Sequence, residues 1–141
     1  MKKIAIIVPA LEKNRFSSEG DLSKFGDMTL LEWKINQVKA FRDIANIYIT
    51  TPSEKIFNEY KNQFNVIKRN SLDYIIGLEE TLSEVEEEIV LWTNCNSPFV
   101  SERIYKNAID CFNNLFRNCS YEWNYYRIST LPIRLYIRDL I

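Results

Sequence analysis

Positively charged and small residues that could hold phosphate groups are concentrated in one stretch near the start of the chain. The stretch extends from Pro9 to Met28, about twenty residues where a handful is usual for a connection. Its cationic side chains, which suit an anionic ligand, are Lys13, Arg15 and Lys24. Its small residues, whose backbone amides could bind a phosphate, are Ser17, Ser18 and Gly20. A solvated surface loop would carry the same residues, and this is neither a Walker nor a dinucleotide glycine motif.

Polar side chains that could bind a base or a sugar follow an apolar run later in the chain. These are Asn94, Asn96 and Ser97. The alternative is a turn that caps the next helix, a role that asparagine and serine also fill well. In the first stretch, Asp21 and Asp27 could hold Mg²⁺ together with substrate phosphates, because that ion needs only one or two carboxylates. Two solvated loop aspartates are the simpler alternative.

Composition excludes several classes of site. The chain has no histidine, which rules out Ser-His and Cys-His nucleophilic sites and zinc sites built on imidazole. A net charge of −1, with both signs mixed along the chain, predicts neither a nucleic-acid partner nor a membrane partner. Three cysteines without metal-ligand spacing predict a reduced, cytoplasmic protein. The apolar run before Pro9 is too short for a signal peptide.

Short apolar runs alternate with segments of helical spacing. The runs predict strands at Ile4–Val8, Ile47–Ile49, Val66–Ile67 and Ile89–Trp92. Helices are predicted from Thr29 to about Phe41 and after Ser53, Ser71 and Ser101. This alternation predicts a single α/β domain over residues 1–141, with helices on both faces of a mainly parallel sheet in a three-layer α/β/α arrangement. Ligands of such sheets bind beyond the carboxyl ends of the strands.

Residues of alternating character near the end of the chain predict two more strands, one of them at a sheet edge. The first contains Tyr121, Trp123, Tyr125 and Tyr126. These aromatic side chains either pack on the sheet or form an exposed patch that docks a second subunit.

Four motifs follow one another in a recognisable order. Ile7-Val8-Pro9-Ala10 ends the first predicted strand, and Leu30-Leu31-Glu32-Trp33 follows the long loop. Thr50–Ile56 is similar to a Ser-Thr-Asp-Ser-Glu-x-Ile motif, with Pro52 in the place of the aspartate. Asn94–Phe99 is similar to a Gln-Pro-Thr-Ser-Pro-Leu motif. In this order, from about residue 3 to about residue 115, the chain resembles the cytidylyltransferases that activate N-acylneuraminate and 3-deoxy-octulosonate sugars.

The resemblance implies a nucleotide-diphospho-sugar transferase-like, Rossmann-like fold. It further implies a nucleotidyltransferase that uses Mg²⁺ to transfer a cytidylyl group from CTP to an acidic sugar, with release of pyrophosphate. The catalytic residues would be Arg15, Lys13 and Lys24. The nucleotide-binding residues would be Ala10, Leu11, Ser17, Ser18, Gly20, Asp21, Asn94, Asn96 and Ser97.

The chain departs from the family's pattern in the first loop. Leu11 and Gly20 stand where the family has an arginine and a lysine that meet the triphosphate. The family's domain also continues with a later half that carries metal-binding aspartates and a dimer arm. We expect that half to be absent here. A homodimer is still expected. The alternatives are a catalytically deficient relative that acts as a nucleotide- or protein-binding module, and a fragment that is stable only as an oligomer.

Overall fold

The apolar run near the start of the chain forms the central strand of a sheet. The computed structural model describes residues 3–118 and 133–137, so the aromatic run of Tyr121, Trp123, Tyr125 and Tyr126 lies outside the described residues. The strands within the described ranges are β1 (Ile4–Pro9), β2 (Lys24–Phe25), β3 (Met28–Thr29), β4 (Ala45–Thr51), β5 (Asn65–Lys68), β6 (Ile89–Thr93) and β7 (Ile133–Ile137). The α-helices there are α1 (Leu30–Val38), α2 (Glu54–Tyr60), α3 (Tyr74–Ser83) and α4 (Glu102–Asn118).

Five of these strands form one sheet in the order β5–β4–β1–β6–β7. β1 pairs in parallel with β4 and β6, so that Ile6 lies opposite Ile47 on one side and Leu91 on the other. β5 extends the sheet in parallel beyond β4, and β7 runs antiparallel at the opposite edge. The prediction of a mainly parallel α/β sheet, with a late strand at its edge, is therefore confirmed.

Each face of the sheet buries its own apolar cluster. β1 supplies both, because alternate residues point to opposite faces: Ile6 belongs to one cluster and Ile7 to the other. The larger cluster contains buried residues of α1, α2 and α4, and the smaller one contains Leu78 and Leu82 of α3 together with Trp92. Helices therefore cover both faces of the sheet, which is the predicted three-layer α/β/α arrangement. No helix in the described part of the chain is long and apolar enough to cross a membrane.

The helix starts agree with the sequence in three cases, including α4 directly after Ser101, and differ in one. Thr29 begins α1 with a capping box that it shares with Glu32, and the Ser53 side chain caps α2 by accepting from the Ile56 amide. The prediction that Ser71 caps α3 is wrong. Asp73 caps it, with Oδ1 accepting from the amides of Ile75 and Ile76, because the Ser71 hydroxyl already accepts from the Asp73 amide.

The long connection after β1 has structure of its own. It contains a 3₁₀ turn at Gly20–Leu22 and a small hairpin in which β2 pairs with β3. Gly26 sits at the hairpin turn with a φ of 66°, a conformation that suits glycine. The Leu30 amide then donates to the Ser23 carbonyl, which joins the end of the loop to the start of α1.

Candidate functional site

Two neighbouring clefts lie at the carboxyl edge of the parallel strands. The first, of about 920 Å³, is lined by the first loop, by Pro52, Ser53 and Lys55 after β4, and by Asn70 and Leu72 after β5. The second, of about 560 Å³, is lined by the end of β1, the first loop, three residues after β5 (Arg69, Leu72 and Tyr74) and the end of β6 with the turn after it. Leu11 and Leu72 line both clefts, so the two adjoin. This is the edge at which parallel α/β sheets bind ligands.

Seven of the candidate residues from the sequence come together at this edge. Lys13 and Ser18 line the first cleft. Arg15, Asp21, Asn94 and Asn96 line the second, and Leu11 lines both. Two loops that are more than seventy residues apart in sequence thus meet around one space, because β1 and β6 are adjacent strands.

The other candidates, Ala10, Ser17, Gly20, Lys24 and Ser97, line neither cleft. Ala10 is buried and its amide donates to the Thr50 carbonyl. The Ser17 hydroxyl shares a hydrogen bond with that of Ser23. Lys24 is exposed on the β2–β3 hairpin, and the Ser97 carbonyl accepts from the ammonium group of Lys34. In this structure these residues shape the loops around the clefts.

Gly20 holds the first loop together by close packing. Its φ is 54°, and a Cβ at this position would collide with the Leu11 carbonyl and lie 2.7 Å from the Lys13 nitrogen. Its amide donates to the Ser17 carbonyl at 3.2 Å, so it is already engaged within the loop. No side chain fits at this position without a change in the loop backbone, and a lysine could not take the place that the family pattern assigns to it.

Asp21 is a buried carboxyl group that lines the second cleft. Its side chain is 7% exposed, and Oδ2 accepts a hydrogen bond of 2.8 Å from the Leu11 amide. Burial raises the pKa of Asp21 to about 6, and the bond from Leu11 opposes this only in part. A carboxyl group that is costly to ionise, and that borders a cleft, is typical of functional sites.

The residues of the described ranges do not form a magnesium site of their own. Within residues 3–118 and 133–137 there is no group of three or more acidic or cysteine side chains that could hold an ion. Asp27 is exposed and lines neither cleft, and one oxygen of Asp21 is taken by the Leu11 amide. We therefore assign no chemical step to a metal.

Arg69, the residue directly after β5, was missed by the sequence analysis. Its amide donates to the Thr51 carbonyl, which continues the pairing of β4 and β5, and its side chain is 5% exposed. One guanidinium nitrogen donates to the Ser71 carbonyl at 3.0 Å, whereas Nε has no partner among the described residues. Burial lowers the pKa of this arginine, with a smaller opposing effect from Glu80. Arg69 thus brings a buried cation with an unused donor to the second cleft.

Trp92 adds a second unused donor to the same cleft. Its side chain is 2% exposed, and its indole Nε1 has no partner among the described residues. The ring of Tyr74 stands edge-on to it at 6.0 Å. A buried donor without an acceptor costs about 1–3 kcal/mol. Both residues with an unpaired buried donor thus line the second cleft.

The path of the Arg69 side chain depends on a glycine in α3. A Cβ on Gly77 would lie 3.2 Å from Arg69 Cζ and 3.3 Å from Cδ, closer than most contacts of this kind. Glycine inside a helix costs about 1 kcal/mol relative to alanine, so its presence here calls for a packing reason. The guanidinium group that lies across the helix at this point provides it.

Gly77→Ala is expected to weaken the binding of a ligand that uses Arg69, by about 5- to 10-fold, with little loss of stability. The added methyl group displaces the guanidinium group, while the gain in helix propensity offsets part of the crowding. The measurements are ligand affinity by calorimetry and the thermal midpoint of the free protein. Glu79→Ala, at an exposed position of the same helix, is the matched control. Unchanged affinity in Gly77→Ala would show that the position of Arg69 does not matter.

Apolar side chains form an exposed rim beside the second cleft. Leu72 is 77% exposed and Phe16 is 67% exposed, and both line the cleft. Ile75 and Ile76 in the first turn of α3 are also exposed, although both are apolar. The first buried residue of α3 is Gly77, in the turn that follows them.

Comparisons with known proteins agree on the architecture. No protein-family model and no curated protein matches the sequence. Among solved structures, a cytidylyltransferase from Leptospira borgpetersenii is 18% identical with a TM-score of 0.70; the alignment covers 99% of this chain and 62% of that one. The chain thus spans less than two thirds of the length of that structure.

Two further solved structures are similar over nearly the whole chain. A CMP:2-keto-3-deoxy-manno-octonic acid synthetase complexed with CTP has a TM-score of 0.79 at 12% identity, over 99% of this chain and 76% of that one. A 4-diphosphocytidyl-2C-methyl-D-erythritol synthase from Anaerococcus prevotii has a TM-score of 0.68 at 16% identity, over 99% and 73%. The resemblance seen in the motifs is confirmed in three dimensions: the chain has the fold of the cytidylyltransferases.

Proposed function

We propose that the chain binds CTP at the carboxyl edge of its sheet. The observation that carries this proposal is the pair of buried donors, Arg69 Nε and Trp92 Nε1, beside the second cleft. Cytosine presents two neighbouring acceptors, O2 and N3, whereas uracil presents a donor at N3, so between these two pyrimidines a pair of donors favours cytosine. Both nitrogen atoms lie below the surface, so a small shift of the side chains that cover them accompanies binding.

The triphosphate would extend from the second cleft into the first. The two clefts adjoin at Leu11 and Leu72, and cations are available along the way: Arg15 at the second cleft, and Lys13 and Lys55 at the first. Exposed lysine and arginine side chains can turn toward phosphate oxygens when these arrive. Mg²⁺ would enter with the triphosphate, because the described residues offer it no site of their own.

The reaction that we propose is cytidylyl transfer to an acidic sugar of the acylneuraminate type. A hydroxyl oxygen of the sugar attacks the α-phosphorus of CTP, the bond from that phosphorus to the bridging oxygen of the β-phosphate breaks, and pyrophosphate leaves while the hydroxyl proton passes to water. The role of the protein would be to hold the two substrates in line and to balance charge. The fold shared with solved cytidylyltransferases supports this proposal.

A catalytically deficient relative that only binds a nucleotide or a protein partner is the second candidate. It is favoured by the first loop, where Leu11 and Gly20 replace the family's arginine and lysine. The packing around Gly20 excludes a side chain, so the missing charge cannot be restored at that position. The exposed apolar rim around Leu72 and Phe16 would suit a protein partner.

One experiment with two readouts separates these candidates. The thermal midpoint is measured with CTP, UTP, ATP and GTP, with and without Mg²⁺, and pyrophosphate release is measured with CTP and acidic sugars. CTP at about 100 times its dissociation constant should stabilise the fold by about 2.7 kcal/mol. Stabilisation with pyrophosphate release supports the transferase, and stabilisation without it supports the binding module. No response to any nucleotide contradicts the proposed nucleotide site.

A further inference from the structure

We infer that Lys34 is a positioning residue, which holds the Asn94–Ser97 turn in the shape that borders the second cleft. The inference rests on the proposed function, because it gives this turn a part in ligand binding. Lys34 lies in α1, the helix that directly follows the first loop with its candidate cations. Lys34 itself lines neither cleft.

The contacts of Lys34 connect three elements through one ammonium group. Its side chain is fully buried. Nζ donates to the Ser97 carbonyl at 2.8 Å and to the Tyr105 hydroxyl at 2.7 Å. The Tyr105 hydroxyl in turn shares a hydrogen bond of 2.7 Å with the Thr93 side chain at the end of β6. The turn between β6 and α4 is thus tied at both ends to the same helix.

Two neighbours of Lys34 on α1 hold the next part of the same loop. The Trp33 indole donates to the Pro98 carbonyl at 2.8 Å. The Gln37 side-chain amide donates to the carbonyls of Pro98 at 2.7 Å and Val100 at 3.0 Å. Together with Lys34, these side chains donate to three loop carbonyls, those of Ser97, Pro98 and Val100. Without these bonds the loop backbone would be free to change conformation at the cleft.

A lysine at this place is costly for the fold, which argues that it is not simply a core residue. The other buried positions of α1 are the apolar residues Leu31, Ile35 and Val38. Burial lowers the pKa of Lys34 to about 8, and Cys95, in the same turn, partly opposes this effect. An apolar residue would avoid the cost of burying a charge. An apolar residue could not donate a hydrogen bond to the Ser97 carbonyl.

Lys34→Met tests this inference, with Lys39→Met as the matched control because Lys39 is exposed just beyond the same helix. Backbone hydrogen exchange of residues 94–100 is measured in the free protein, and CTP affinity by calorimetry. We expect Lys34→Met to speed exchange in this segment and to weaken CTP binding by about tenfold, with no loss of stability at pH 7. Lys34→Gln, which keeps a hydrogen-bond donor, should exchange more slowly in this segment and bind CTP more tightly than Lys34→Met.

Each outcome has a distinct meaning. Unchanged exchange of residues 94–100 in Lys34→Met overturns the positioning role, and so does changed exchange with unchanged CTP affinity. If wild-type protein binds no nucleotide, the proposed function fails, while exchange still decides whether Lys34 shapes the turn. If Lys34→Met does not fold, Tyr105→Phe replaces it, because this change removes one acceptor of Lys34 and keeps the ring. It should then speed exchange in the same segment, and no change would overturn the inference.

Discussion

Replacing Arg69 by methionine is expected to weaken CTP binding by about 10- to 100-fold while the fold remains intact. The guanidinium group is buried beside the second cleft, and its Nε has no partner in the free protein. A ligand acceptor that completes this donor gains a charge-assisted hydrogen bond, and methionine preserves most of the side-chain volume without offering one. The measurement is the CTP dissociation constant by calorimetry.

Lys68→Met is the matched control for Arg69→Met. Lys68 precedes Arg69, is exposed and pairs with Glu54 at 3.5 Å on the surface. The loss of its charge should change CTP affinity by less than about twofold. Arg69→Lys should bind with intermediate strength, because it keeps the charge and loses the Nε donor. Equal losses for Arg69→Met and Lys68→Met would mean that only general charge matters at this edge.

Replacing Asp21 by asparagine is expected to raise the free energy of unfolding at pH 7 by about 2–3 kcal/mol. The pKa of this carboxyl group is about 6 in the folded protein against an ordinary 3.8. Between these values the folded state holds a proton that the unfolded state has released, so stability falls as pH rises from about 4 to about 6 and stays low above that. Asparagine can still accept from the Leu11 amide without a charge.

Urea denaturation from pH 4 to pH 7 checks this expectation. Wild type should lose stability across the window, and Asp21→Asn should lose less. Asp27→Asn, an exposed change in the β2–β3 hairpin, should follow wild type. Parallel curves for wild type and Asp21→Asn would contradict the assignment. If Asp21→Asn also binds CTP less well, then the carboxyl group is retained for function at a cost in stability.

Trp92→Phe should weaken CTP binding by about tenfold. The smaller ring also leaves a cavity in the apolar cluster with Ile7, at a cost of about 1–2 kcal/mol in stability. Ile7→Val lowers stability through lost volume in the same cluster and removes no donor, so it should leave affinity unchanged. Comparison of the two variants by calorimetry separates the hydrogen bond from the packing. Equal affinities would mean that the indole N–H does not meet the ligand.

The strands and most helices could be predicted because local patterns decide them. Ile4–Val8 is apolar throughout because β1 is buried on both faces, and Ser53 caps α2 through a contact only three residues long. The prediction of Ser71 as the cap of α3 was wrong, because serine and aspartate both cap helices and Asp73 stands only two residues later. The choice depends on which donors lie within reach, and only the structure shows these.

The candidate site was predicted less completely. The first loop and the turn after β6 were found because they follow obvious strands. The loop after β5 was passed over, although the same rule applies to it, because Asn65–Lys68 is a short strand and Arg69 stands in no familiar motif. Arg69 contacts Gly77 across the start of α3, and Lys34 contacts Ser97, 63 positions further along the chain; no local pattern encodes either contact.

The most direct test of the nucleotide site is an NMR titration of the indole N–H signals. The chain has three tryptophans, so each signal can be assigned with one substitution, and Trp92→Phe identifies its own. On addition of CTP we expect the Trp92 indole signal and the Arg69 Nε–H signal to shift together and to saturate, with smaller shifts for UTP. If neither signal moves with any of the four nucleoside triphosphates, then no nucleotide meets these donors and the account of this cleft is wrong.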